Sequence, residues 1–241
     1  MGGHQAGEVA SGYVVKTLEH LFSSSIYRQW VDHSPLREDY YAVVLKEVLE
    51  RINDHLYTQA STNQSLSGMG TTATVALLAG GRLFIGHVGD SRAYLLRKGK
   101  IKRLTHDHTW VEEKLQAGKI TPHEAESHPH KNILTRALGN SLIVRIDRSI
   151  HSIQPNDILI LCTDGLTNLV SDAELSQIIQ VNQDPQRACD FLIDLANRRG
   201  GTDNITVLIS RLTSKVSEWK KPQLYHEVKE SKDTQKILLH G

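Results

Sequence analysis

Three aspartates in this chain sit in short turns of glycine and other small residues: Asp90 in GHVGDSRAY, Asp164 in LILCTDGLTN and Asp203 in GGTDNITVL. Any one of them alone is explained by turn chemistry, because an Asp side chain hydrogen-bonds its own neighbouring backbone and tolerates tight dihedral angles. Taken together they say more, since each lies at the end of a strand-like apolar run. A carboxylate at the end of a buried strand is held rigidly at a sheet edge. Several held that way can converge on a hard cation such as Mg2+ or Mn2+, which prefers oxygen ligands.

Other chemistries find less support. The chain has 13 histidines, and those of the stretch containing His106, His108, His123, His128 and His130 are expected in solvated loops. No HExxH string or Cys/His ligand spacing accompanies them, so no zinc site is expected. GMGTT at 68–72 is glycine-rich, yet no Gly-Lys-Ser/Thr follows and a nucleotide P-loop is excluded. Ser91 lies inside an expected hairpin rather than on a strand-to-helix elbow, which argues against a serine hydrolase.

The elements that must carry the aspartates follow from periodicity. Val9, Tyr13, Val14, Leu18, Leu21 and Phe22 recur at three- and four-residue spacing and predict a helix over about 6–22. Ser34 followed by Pro35 predicts the cap and first position of a second helix running to about 59, with Leu36, Tyr40, Val44, Val48, Ile52 and Leu56 on its buried stripe. From Thr71 the runs TTATVALLAGG, RLFIGHVGD and SRAYLLRKGK, parted by turns, predict an antiparallel meander. Thr109 with Glu112 and Thr121 with Glu124 predict two short capped helices, with Gly118 as a C-cap between them. Strands are expected at about 143–151, 157–162 and 204–211, with helices starting at Ser171 and at about 185. Segregated helices and strands favour an α+β fold, an antiparallel β-sandwich flanked by helices on both faces.

Composition narrows the class. With 241 residues, 39% hydrophobic and 23% charged, the chain can bury a sizeable core. One domain over 1–212 with a polar C-terminal tail over 213–241 is expected, the tail holding six Lys against four Asp or Glu and at most a short helix. The net charge of +1 leaves no electrostatic footprint for nucleic acid or an acidic membrane surface. Apolar runs of about five residues are far too short to span a bilayer. No basic-plus-apolar leader opens the sequence, and Cys162 and Cys189 read as buried thiols in a reducing cytoplasm. A monomer is expected.

The strings GMGTTAT (68–74), GHVGDSRAYLLRKGKIKRLTHDHT (86–109), HPHKNILTRALG (128–139), LCTDGLTN (161–168) and GGTDNITVLI (200–209) resemble, in order, the motifs of the bacterial type 2C metal-dependent protein phosphatases of the PPM family. The resemblance implies a metal-dependent protein serine/threonine phosphatase of the sandwich fold. Asp164 and Asp203 match ligands of two catalytic ions, Mn2+ or Mg2+, and Asp90 matches the aspartate of a third. Region 108–134 matches the family's flap. The substrate implied is a phosphoserine or phosphothreonine protein, itself the product of a serine/threonine kinase, hydrolysed directly by a water that bridges the two metals.

The opening MGGHQAGEVAS resembles the family's Asp-Gly-Met-Gly-Gly-His segment with its first two residues removed. In the family that Asp bridges both ions and the Gly carbonyl is a further ligand, and an upstream acidic ligand, a phosphate-binding arginine and sheet strands also precede it. Losing the bridging carboxylate leaves two dications in mutual repulsion and is expected to weaken metal binding. Two readings stay open at this point: Met1 is an internal methionine of a longer protein, or the chain is a noncatalytic relative that binds a phosphoprotein or regulator.

Overall fold

The computed structural model describes residues 3–23, 39–213, 228–231 and 234–237, and the predicted Ser34–Pro35 cap lies outside them. Two compact units are present, the first comprising residues 1–90 and 106–151 and the second 91–105 and 152–241.

In the first unit, helix α1 (Gly3–Ser23) and helix α2 (Tyr40–Thr62) accompany a sheet of β1 (Ala73–Ala79), β2 (Arg82–Val88) and β5 (Asp147–Ser152), in the order β1-β2-β5. β1 and β2 pair antiparallel from Ala73↔Val88 to Ala79↔Arg82 around the Gly80-Gly81 turn. Both glycines have positive φ, the conformation that two-residue hairpin turns require. The stripe read on α2 is buried where it was expected, at Val44, Ile52 and Leu56. Ala10, Val14, Leu49, Met69, Val88 and Leu138 join Ile52 and Leu56 in one core, and Leu45 packs with Ala42, Ala79 and Phe84 in another. Asn53, 1% exposed, is a polar pin in this core. Its Nδ2 donates to the carbonyls of Ser141 and Leu142, and its Oδ1 accepts from Gly139 N at 2.9 Å. Both the donor and the acceptor end of the amide are thereby engaged, so burying it is tolerated.

Between β2 and β5 the unit makes an excursion through α3 (Trp110–Gln116) and α4 (Pro122–Ser127), which start where the Thr109 and Thr121 caps predict. Thr121 and Glu124 form the full reciprocal capping box. Thr109 caps α3 by accepting from Glu112 N, while the Glu112 carboxylate lies 3.9 Å from His106. Gly118 has the positive φ expected just past a helix end.

The second unit holds a four-stranded antiparallel sheet in the order β4-β3-β6-β7, formed by β3 (Arg92–Arg97), β4 (Lys100–Arg103), β6 (Ile158–Cys162) and β7 (Val207–Arg211). The expected meander is therefore two hairpins in two sheets rather than one run of strands. The break falls at Gly89-Asp90, where Gly89 turns with φ +112° and stops β2 from feeding β3 directly. β6 is central and carries the run ILILC, as a strand with neighbours on both sides should. Helices α5 (Asp164–Thr167), α6 (Asp172–Val181) and α7 (Pro185–Arg198) follow it. Ser171 and Glu174 box the start of α6, and Asp184 with Pro185 starts α7. Tyr94, Ile160, Leu166, Ile179, Leu192 and Val207 are among the residues that close this unit's core. Beyond residue 213 the described residues are two paired strands, β8 (Val228–Ser231) and β9 (Thr234–Ile237), where the sequence allowed a short helix.

Candidate functional site

Asp164 is the first residue of α5, immediately after β6, and Asp203 lies in the loop that enters β7. Because β6 and β7 are antiparallel neighbours in the register Cys162↔Val207, the end of one and the start of the other lie at the same end of the sheet. The two aspartates are thus brought to one sheet end by strand pairing alone, and three hydrogen bonds extend the match past the strands. Thr163 N donates to Thr206 O at 3.1 Å. The Thr163 hydroxyl donates to Asn204 O at 3.1 Å and accepts from Thr206 N at 3.0 Å. One side chain next to Asp164 therefore closes both the donor and the acceptor of the segment next to Asp203. A small residue is also needed at position 165, since a Cβ on Gly165 would fall 2.5 Å from Asn204 O.

The carboxylates themselves stay reachable, Asp203 being exposed and Asp164 half-buried. Asp203 Oδ1 accepts from Asn204 N at 2.7 Å, which fixes its rotamer at the loop. Asn168 Nδ2 stands 3.5 Å from Asp164 Oδ2, at the limit of a hydrogen bond. Among the described residues no three or more His, Cys, Asp or Glu gather closely enough to enclose an ion. Two carboxylates do suit a Mg2+-like ion, which keeps several waters and takes one or two protein carboxylates together with substrate phosphate oxygens. The donor set fits Mg2+ or Mn2+ and is wrong for a soft metal.

Asp90 belongs to the first unit, half-buried in the turn after β2. That turn is built around Gly89, whose Cβ, were there one, would lie 2.3 Å from Thr72 Cγ2. Gly89 also exchanges two hydrogen bonds with His108: His108 N donates to Gly89 O at 2.8 Å, and Gly89 N donates to His108 Nδ1 at 3.1 Å. His108 is 0% exposed. The expectation of a solvated loop histidine at this position is corrected by that burial, because a ring accepting from a backbone amide has exchanged water for a fixed partner. Its Nε2 lies 3.2 Å from Asp147 Oδ2, off the line a good hydrogen bond requires, and Arg136 Nη1 meets Asp147 Oδ1 at 2.7 Å. Burial, with Arg136 second, pushes the His108 pKa down. The Asp147 carboxyl sits below its ordinary value: burial works to raise it, but the hydrogen bond from Arg136 and the close His108 ring prevail.

His87 on β2 is the other buried ring, 4.7 Å from His108 between centroids. Its Nε2 faces His106 O at 3.0 Å and its Nδ1 faces Thr74 Oγ1 at 2.9 Å, so the neutral ring donates from Nε2 and accepts the Thr74 hydroxyl. Burial, then the proximity of His108, lowers its pKa to about 4. Sequence reasoning did not single out His87 and took His108 for a loop histidine. The available signal was the alternation of β2, which places His87 among buried neighbours. The anchors Thr163 and Asn204 were equally missed, because their pairing exists only across two strands remote in the chain.

Residues 3–114 and 147–205 match the family model described as protein phosphatase 2C. A serine/threonine phosphatase stp from Listeria innocua is 38% identical over 209 residues, covering 87% of this chain and 80% of that protein. The serine/threonine protein phosphatase PstP of Mycobacterium tuberculosis is 39% identical over 210 residues, 87% of this chain and 38% of its own longer one. Among solved structures, the M. tuberculosis phosphatase PstP/Ppp superposes with a TM-score of 0.76 at 37% identity, over 88% of this chain and 85% of that one. The catalytic domain of PstP in complex with 2 manganese ions superposes with a TM-score of 0.71 at 35% identity, over 87% and 82% of the two chains.

Proposed function

The chain belongs to the protein phosphatase 2C family, and on that premise we propose that it removes phosphate from phosphoserine and phosphothreonine in proteins with the help of Mn2+ or Mg2+. The observation that carries this reading is the pairing of the Asp164 and Asp203 segments through Thr163, which presents two accessible hard-oxygen donors at one sheet end. The names of the relatives and the manganese-bound neighbour support it further.

Divalent ions at such a site lower the pKa of water and neutralise charge that grows on phosphoryl oxygens. This chain's residues supply the frame for that chemistry. Asp164 and Asp203 would hold the ions, with Asp90 a ligand of a further one. Thr163 and Gly165 keep the two carboxylate-bearing segments at a fixed spacing, so that little reorganisation is needed when substrate binds. The substrate must come from a reaction that esterifies protein hydroxyls with phosphate, a serine/threonine kinase. Two buried cysteines outside any disulfide, Cys162 and Cys189, are in keeping with a reducing cytoplasm.

The test is phosphate release from a phosphothreonine peptide with and without Mn2+, using the polypeptide as it stands and extended by an Asp-Gly pair ahead of Met1. Release that requires Mn2+, at least in the extended form, is expected. Failure of both forms to release phosphate in Mn2+ or Mg2+ would overturn the reading.

A further inference from the structure

Residues 109–134 form an excursion within the first unit that closes on itself at a narrow neck. Trp110 N donates to Ile133 O at 2.8 Å and Thr135 N donates to His108 O at 2.8 Å, so the outgoing and returning segments are joined by one antiparallel bridge, Thr109 to Leu134. The residue at the base of that neck, His108, is the one that clasps Gly89 through both its backbone N–H and its ring. We propose that His108 is a positioning residue, which ties the neck of the 109–134 excursion to the Gly89-Asp90 turn so that the two keep or lose their geometry together.

Three observations make the ring a pin rather than a filler. It is fully buried, against β2 through His87 and against β5 through Asp147. His87 is itself fixed at both nitrogens, so the wall behind the ring does not yield. Gly89 has positive φ and no room for a side chain, which leaves backbone hydrogen bonds as the means of holding its peptide planes. The Gly89 peptide precedes Asp90 directly, so a rotation there re-aims the Asp90 carboxylate. Displacing the excursion pulls on the same residue that sets that rotation. The role of Asp90 as a metal ligand rests on the phosphatase reading above, whereas the mechanical link does not.

The experiment follows backbone amide exchange by NMR in the metal-free protein, for the unsubstituted chain and for His108→Asn, His108→Gln and His108→Ala. An Asn carbonyl falls near the Nδ1 position and can still accept from Gly89 N, whereas a Gln amide reaches toward Nε2 and cannot. The Ala variant should accelerate exchange of Gly89 N by about tenfold and accelerate Trp110 N and Thr135 N with it. Gln should behave like Ala, and Asn should restore slow exchange at all three. Mn2+ binding, read by the loss of the free-ion EPR signal, should weaken in the Gln variant and recover in the Asn variant. Faster exchange at Gly89 alone, with the neck amides unchanged, would overturn the link, as would Asn and Gln variants that cannot be told apart. If His108→Ala does not fold, the Asn–Gln contrast decides by itself. Failure of the unsubstituted chain to release phosphate counts against the phosphatase reading and leaves the exchange result standing.

Discussion

Gly165 and Asn204 approach so closely that a methyl group on Gly165 would stand 2.5 Å from the Asn204 carbonyl oxygen. This contact joins the first turn of α5 to the loop entering β7, one residue beyond Asp164 and one beyond Asp203. Gly165→Ala is predicted to destabilise the fold by about 1–3 kcal/mol, the usual cost of overpacking. It is also predicted to weaken Mn2+ binding, because the methyl drives the two carboxylate-bearing segments apart. Urea unfolding and calorimetric Mn2+ titration of the variant check both parts. Unchanged metal affinity would show that the spacing of these segments does not matter.

Arg97 and Asp157 form an ion pair away from the aspartates. Arg97 Nε and Nη2 reach the two Asp157 oxygens at 2.8 and 2.6 Å, and Gln154 N donates to Oδ2 at 2.7 Å. The Asp157 side chain is 1% exposed. Removing the arginine strands a buried carboxylate, so Arg97→Ala should cost about 3–5 kcal/mol in urea unfolding. Adding Asp157→Asn to that variant should recover part of the loss. A double variant worse than the single would contradict the reading that the stranded charge dominates.

His87 makes stability depend on pH. Its folded pKa of about 4 lies below the ordinary 6.5. The unfolded chain therefore takes up a proton as the pH falls past about 6.5, while the folded chain resists until near 4. The contribution is fully present above that window and is lost as the pH falls through it, by about 3 kcal/mol in total. His87→Gln should flatten this part of the profile, measured as the urea midpoint at about pH 7.5 and about pH 4.5. An identical fall in both proteins would assign the acid sensitivity elsewhere.

Glu174 works on a lower window. Arg199, at 2.6 Å, and then the backbone and hydroxyl of Ser171 hold its pKa to about 2, against an ordinary 4.5. Its stabilising effect is present above about 4.5 and disappears as the pH falls toward 2. Arg199→Ala should raise the Glu174 pKa toward the ordinary value, as read by the carboxyl 13C shift. A Glu174 titration that does not move would remove Arg199 as the main cause.

The legible parts of this molecule were those decided locally. Helix α7 was placed at about 185, and α6 at its Ser171 cap, because caps and periodicity act within a few residues. Ordered motifs gave the family and the acidic turns. What the sequence hid was long-range: Thr163 binds residues 41 and 43 positions away, and nothing within either segment announces the other. His108 lay in a polar string, THDHT, that resembles a loop, and its burial follows from the Gly89 turn folding over it. The switch of sheets at Asp90 was missed for a similar reason, since three alternating runs read alike whether they pair in one sheet or two.

Whether Asp164 and Asp203 hold the ions is decided by Mn2+ binding, by EPR or calorimetry, to the unsubstituted chain and to Asp164→Asn and Asp203→Asn, with circular dichroism to show that each is folded. Saturable binding is expected, weakened by more than about tenfold in each variant. Folded variants that bind Mn2+ as tightly as the parent would contradict that role.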